Sequence, residues 1–95
     1  MKEYGLQLKD AEALVSKEFI SSVDAEQQDD MEWTFYITFT NPRSNELERV
    51  FIERQRLGKR TWADPRRMFD FMYESFGISE GIFKIKLKRL NNEKS

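Results

Sequence analysis

The clearest element of this sequence is residues 31–40, which read MEWTFYITFT. Every second position holds a large apolar side chain, in the order Trp33, Phe35, Ile37 and Phe39. The positions between them carry hydroxyl groups, in the order Thr34, Tyr36, Thr38 and Thr40. Because successive side chains of a β-strand point to opposite faces of a sheet, this period of two predicts a half-buried strand with its apolar face on the core.

The residues that follow predict a hairpin. The stretch 41–45, NPRSN, has the residue types of a tight turn. A second strand is expected over about residues 46–55. Its alternation is imperfect, since Val50 and Ile52 share one face and Phe51 lies on the other, so the pattern leaves open which face is buried.

On the N-terminal side, the sequence predicts a helix and another strand. Apolar residues recur at near-helical spacing over residues 8–18, which indicates a short amphipathic helix. The β-branched residues and serines of residues 19–27 favour a strand over a helix interior. Acidic residues then supply a turn at residues 29–30.

A second helix has chemically marked ends. Asp64 is a capping residue, Pro65 suits the first helical position, and Gly77 is the usual terminator. The residues expected to share its inward face are Phe69, Met72, Tyr73 and Phe76. A last strand is expected over residues 82–90, where apolar residues alternate with lysines.

These elements predict one α+β domain over residues 1–90, followed by a polar C-terminal tail at residues 91–95. The order is α-β-β-β-α-β, and we expect a small antiparallel sheet with two helices packed on one face. The core is expected to hold seven large apolar residues: Trp33, Phe35, Ile37, Phe39, Phe69, Met72 and Phe76.

Composition narrows the classes of function. The chain has 95 residues, no cysteine and no histidine. Disulfides, Ser–His and Cys–His nucleophiles and the usual zinc sites are therefore excluded. No stretch approaches the roughly 18 apolar residues of a membrane span. We expect a cytoplasmic binding protein rather than an enzyme, with no cofactor, no metal, no membrane contact and no small-molecule substrate.

Charge is distributed unevenly along the chain. Residues 1–32 carry three lysines against nine acids, whereas residues 54–67, the basic segment, carry six cations against Asp64. The candidate site in the basic segment consists of Arg54, Arg56, Lys59, Arg60, Trp62, Arg66 and Arg67. Cations around an exposed aromatic side chain, beside a helix N-terminus, are typical of phosphate binding. We therefore predict a small accessory or regulatory protein that contacts nucleic acid or a nucleoprotein complex.

The alternative function is a protein-interaction module or inhibitor. Met68 and Phe71 are expected on the outer side of the second helix, where they would form an exposed patch for a protein partner or a homodimer. The acidic hairpin at residues 24–32 is a further candidate surface, for a basic partner. The last strand carries lysines that are typical of a protected sheet edge: Lys84, Lys86 and Lys88.

Overall fold

The structure is a computed structural model that describes residues 1–56 and 58–86. Its helices are α1 (Leu8–Leu14) and α2 (Pro65–Phe76), and a short 3₁₀ helix lies at Lys17–Phe19. Its strands are β1 (Lys2–Leu6), β2 (Ile20–Gln27), β3 (Trp33–Asn41), β4 (Glu46–Ile52) and β5 (Ile82–Lys84). The predicted tail at residues 91–95, together with Lys88 and the end of the predicted last strand, lies outside the described residues.

The five strands form one mixed sheet in the order β1-β4-β3-β2-β5. Strands β2, β3 and β4 make the predicted antiparallel meander. Both outer strands run parallel to their neighbours, β1 to β4 and β5 to β2. The prediction of an antiparallel sheet in the order α-β-β-β-α-β is therefore wrong at both edges, because alternation identifies a strand but not its partner.

Strand β1 is the element that the sequence did not predict. Lys2 and Glu3 are exposed, and Gly5 has no side chain, so Tyr4 and Leu6 alone carry the apolar pattern. Such a short pattern carries little information about secondary structure. Pairing with β4 holds these residues extended.

The core lies between one face of the sheet and both helices. Strand β3 supplies Phe35, Ile37 and Phe39, which are buried as predicted. Strands β2 and β4 add, on the same face, Val23, Ala25, Val50 and Ile52. The helices and their ends cover this face with Ala11, Val15, Met68, Met72 and Phe76.

Helix α2 begins and ends where the sequence predicts. The Asp64 carboxylate accepts a hydrogen bond of 2.9 Å from the Arg66 amide, and Pro65 occupies the first helical position. Gly77 adopts φ 70°, the left-handed conformation that favours glycine at a helix end. Local chemistry therefore fixes both ends of this helix.

The inward face of α2 differs from the prediction. Met68, Met72 and Phe76 are buried, whereas Phe69 and Tyr73, which were expected inward, are 36% and 63% exposed. The buried residues are four residues apart, and so are the two exposed ones, so both groups satisfy the spacing of an amphipathic helix. The helix is rotated about its axis because packing, not spacing, selects the buried side.

The opposite face of the sheet, the open face, is lined by side chains of the strands. Tyr36 of β3 is nonetheless 3% exposed, because charged side chains of neighbouring strands cover it.

Over residues 1–56 and 58–86, the structure has no helix with the length and apolar character needed to cross a lipid bilayer.

Candidate functional site

Residues 60–62 of the basic segment lie along the end of the sheet. The Arg60 amide donates to the Ile52 carbonyl over 2.8 Å, and the Thr34 hydroxyl donates to the Arg60 carbonyl over 2.8 Å. The backbones of Trp33 and Trp62 exchange two hydrogen bonds of 2.8 Å. These contacts fix the segment from Arg60 to Trp62 against β3 and β4.

Because the segment from Arg60 to Trp62 lies against β3 and β4, the Trp62 side chain is buried, with 9% of the residue exposed. Its ring lies 5.7 Å from the ring of Phe35 and 5.1 Å from that of Phe71. The Arg60 guanidinium lies over two of these rings, 5.0 Å from the centroid of Trp62 and 4.6 Å from that of Phe71. The expectation of an exposed aromatic side chain in the basic segment is corrected, because Trp62 packs into the core.

The cations of the basic segment are divided between surfaces. Lys59 points to the open face, where its ammonium donates to the Tyr36 hydroxyl. The same ammonium lies over the rings of Tyr36 and Phe51, at 4.9 and 5.1 Å. Four cations of the segment are exposed: Arg54, Arg56, Arg66 and Arg67. The structure therefore does not gather the predicted set around one point.

The N-terminus of α2 already holds a carboxylate. Besides the Arg66 amide, which its side chain binds, Asp64 accepts a 3.1 Å hydrogen bond from the Arg67 amide on its carbonyl oxygen. The Arg66 Nε atom lies 3.6 Å from the same carboxylate. A phosphate at this helix end would compete with the Asp64 carboxylate for the amides and the charge.

Two shallow grooves meet at Arg60. Charged side chains line the first groove, between α1 and the loop after β4: Lys9, Glu12, Glu53, Arg54 and Arg60. Charged side chains line the second groove, beside α2: Arg60, Arg67, Asp70 and Glu74. Since Arg60 belongs to both, the two grooves hold four cations and four carboxylates, and their charges cancel. An electrostatic phosphate site needs an excess of positive charge.

The prediction of an exposed Met68/Phe71 patch is also wrong. Met68 is completely buried, with 0% of its surface exposed. Phe71 is half-buried, with its ring 6.1 Å from that of Phe35. Phe71 lies inward because Trp62, held against β3, packs on its ring. Met68 lies inward as part of the hydrophobic core.

A different apolar surface lies between α2 and β5, and we call it the α2–β5 cleft. Its volume is about 340 Å³. Apolar side chains from β2, α2, β5 and the segment before β5 line it: Val23, Ala25, Phe69, Met72, Ile78, Ile82 and Phe83. The Phe83 ring lies 5.7 Å from the ring of Phe69 and 6.2 Å from that of Trp33, which is half-buried.

Large apolar side chains at this cleft are open to solvent. Ile82 and Phe83 are each 60% exposed, and Ile85, just beyond β5, is 54% exposed. Phe69 and Tyr73, one helical turn apart on α2, add their own exposed surface. Grouped exposed apolar side chains mark an interaction site more often than single exposed apolar residues do.

Gly81 allows the segment before β5 to approach the sheet closely. A Cβ atom at this position would lie 2.8 Å from the Val23 carbonyl oxygen. Because that oxygen belongs to the backbone of β2, a side chain at Gly81 would push the wall of the cleft away from its floor.

An ion-pair network on the open face connects the outer strands. The Arg49 guanidinium donates to three carboxylates, at 2.6, 2.7 and 2.7 Å: Glu3, Asp24 and Glu26. The Lys84 ammonium of β5 lies 3.6 Å from Glu26 and 3.9 Å from Asp24. Burial raises the pKa of Asp24, and a hydrogen bond with Asp24 lowers the pKa of Glu26. Two acids of the predicted surface at residues 24–32 are thus engaged within the protein.

Sequence reasoning predicted the parts of the cleft but not the cleft itself. Helix α2 carries large apolar residues on more than one side, which is more than a single buried stripe requires. This excess was the sequence signal that could have indicated a second, exposed apolar surface on the helix.

Comparisons of the chain with protein-family models, curated proteins and solved structures found no match.

Proposed function

We propose that the protein is a small, non-enzymatic, cytoplasmic protein-interaction module that binds a partner polypeptide at the α2–β5 cleft. One observation carries this proposal: large apolar side chains at or beside the cleft are each at least 36% exposed, namely Phe69, Tyr73, Ile82, Phe83 and Ile85. Aromatic side chains that fill or line a pocket supply most of the binding energy of protein interfaces.

Charge favours this proposal over nucleic-acid binding. The four cations that line the grooves at Arg60 face an equal number of carboxylates, whereas the lining of the α2–β5 cleft is mainly apolar. Trp62, the aromatic side chain expected to be exposed among the cations, packs against Phe35 and Phe71. Nucleic-acid binding through the basic segment stays a prediction, which the salt dependence of the affinity for oligonucleotides tests.

A displayed peptide library tests the proposal with two variants of the cleft. Peptides selected against the full chain are measured individually by fluorescence anisotropy. We expect Phe83→Asp and Phe69→Glu each to weaken binding by at least about 30-fold, the loss typical of an interface hot spot. Leu47→Asp is the matched control, because Leu47 is an apolar strand residue that is 50% exposed on β4, away from the cleft.

Circular dichroism of each variant checks that the loss is not caused by unfolding. Two outcomes contradict the proposal. In one, the selection yields no peptide that binds the wild-type chain. In the other, the selected peptides bind the Phe83 and Phe69 variants as tightly as they bind the Leu47 variant.

A further inference from the structure

We infer that the partner segment binds as an additional β-strand along the outer edge of β5, and that it alternates apolar residues with acidic ones. This inference rests on the proposed function and specifies the partner. Three features carry it: the position of β5 in the sheet, the direction of its side chains, and the charge along its edge.

Strand β5 lies at the edge of the sheet. It pairs with β2 on one side, and no strand among residues 1–56 and 58–86 pairs with its other side. The outer edge of a strand presents backbone amides and carbonyls in the spacing of a β-ladder, so it can accept an extended peptide. The edge borders the α2–β5 cleft directly, because Ile82 and Phe83 belong to both.

The side chains of β5 alternate between the cleft and the open face. Phe83 pairs in register with Ala25, whose side chain lines the cleft, whereas Lys84 pairs with Glu26 on the open face. A strand added beside β5 would alternate in the same way. Every second side chain of the partner would therefore meet the exposed surface of Phe83 and the cleft. The volume of about 340 Å³ lies at the lower end of the roughly 300–1,000 Å³ of small-molecule pockets, which suits the insertion of a side chain.

The remaining side chains of the partner would face Lys84. Its side chain is 60% exposed, and its ammonium lies 3.6 and 3.9 Å from Glu26 and Asp24, beyond hydrogen-bond distance. Its donors can therefore bind a further carboxylate. An opposite charge on an adjacent strand stabilises strand pairing, so acidic residues are expected at these positions of the partner.

The same charge disfavours a second copy of this chain as the occupant. Residues 82–86 read IFKIK, with two lysines and no carboxylate. Lys86 is already paired with the Asp29 carboxylate over 2.7 Å, so the repulsion comes from Lys84. Pairing two copies along this edge would bring the exposed Lys84 side chains to the same face of the joined sheet, and adjacent like charges destabilise strand pairing. The edge is therefore complementary to an acidic segment rather than to itself.

Designed peptides test the charge of the partner. We expect the synthetic peptide EVDIEVD to bind the full chain at least about tenfold more tightly than KVKIKVK, because their charges face Lys84 with opposite sign. Lys84→Glu should reverse this preference. Lys2→Glu makes the same charge change on β1, at the other edge of the sheet, and should leave the preference unchanged.

Methylated peptides test strand addition. Two versions of EVDIEVD carry N-methyl groups on alternate amides, one on the odd and one on the even positions, so that the methyl groups line opposite edges of the peptide. Strand addition uses one edge only, so one version should lose about tenfold in affinity or more, and the other should bind like the parent.

Three results would overturn the inference: no binding of EVDIEVD, equal binding of EVDIEVD and KVKIKVK, or equal affinities of the two methylated versions. If displayed peptides still depended on Phe83, these results would leave the proposed cleft intact and reject only strand addition. If no displayed peptide bound either, both proposals would fail.

Discussion

The Glu48 carboxylate is buried on the face of the sheet that the helices cover, with 4% of the residue exposed. The Tyr4 hydroxyl donates to it over 2.5 Å and the Asn41 amide over 2.9 Å. These hydrogen bonds lower the pKa of Glu48 below its usual value, while burial raises the pKa of Tyr4 to about 12. The ionised carboxylate thus links β1 to β4.

Replacing Tyr4 by phenylalanine removes this donor and keeps the ring. A carboxyl whose pKa is lowered by folding stabilises the folded state above its unfolded pKa, about 4.3 for Glu, and loses this contribution as the pH falls through the folded pKa. We expect Tyr4→Phe to be less stable than the wild type at neutral pH and the difference to shrink below about pH 4.

Urea unfolding at pH 7 and at pH 3 measures the difference for Tyr4→Phe. Tyr73→Phe is the matched control, since Tyr73 is 63% exposed, and it should change stability at neither pH. A loss in Tyr4→Phe that is the same at both pH values would mean that packing, rather than the ionised Glu48, accounts for it.

At the scale of elements, the sequence predicts best where chemistry marks the element locally. Asp64, Pro65 and Gly77 define the ends of α2, and the alternation in residues 31–40 defines β3. Strand β1 and the rotation of α2 have no such local mark. Both depend on tertiary packing, which overrides spacing and propensity.

The rotation of α2 gives a prediction on two adjacent residues. Met68→Ala should destabilise the protein by about 2–5 kcal/mol, as expected for a fully buried methionine. Phe69→Ala should cost less than about 2 kcal/mol, because the side chain is already 36% exposed. Urea unfolding of both variants gives the two free energies. A larger loss in Phe69→Ala would instead support the orientation that the sequence pattern suggested.

At the scale of the whole molecule, the cleft could not be predicted because its parts are far apart in the chain. Its floor comes from residues 23–25, one wall from residues 69–72, and the other from residues 78–83. In the sequence, each part is a short stretch in which apolar residues are mixed with charged or polar ones. The parallel pairing of β5 with β2, which brings them together, leaves no local pattern.

The distribution of charge on the surface could not be predicted from the sequence either. The sequence shows an acidic N-terminal third and a basic segment, but folding brings carboxylates from several parts of the chain between the cations of that segment. Glu12 of α1 and Glu53 lie in a groove with Arg54, and Asp70 and Glu74 of α2 lie in a groove with Arg67. A charge excess along the chain is therefore no guide to a charge excess on the surface.

This interleaving predicts how the protein responds to salt in the presence of nucleic acid. Of the six cations in the basic segment, Lys59 is engaged by Tyr36, and three more line the grooves with carboxylates. Arg56 and Arg66 lie outside both grooves. Each neutralised duplex phosphate contributes about −0.9 to the slope of log affinity against log salt, so we expect a slope no steeper than about −2.

Fluorescence anisotropy with a duplex and a single-stranded oligonucleotide, titrated from low to physiological salt, measures this slope. We expect at most weak binding, with dissociation constants no tighter than the roughly 10⁻⁴–10⁻⁶ M of non-specific contacts at physiological salt. Arg66→Glu combined with Arg67→Glu should weaken any such binding. Arg43→Glu is the matched control, because it lies in the turn before β4, at the opposite end of that strand from the basic segment. A slope near −4 or steeper, lost in the double variant and kept in Arg43→Glu, would restore nucleic acid as the ligand of the basic segment, because neutralising that many phosphates needs more cations than Arg56 and Arg66.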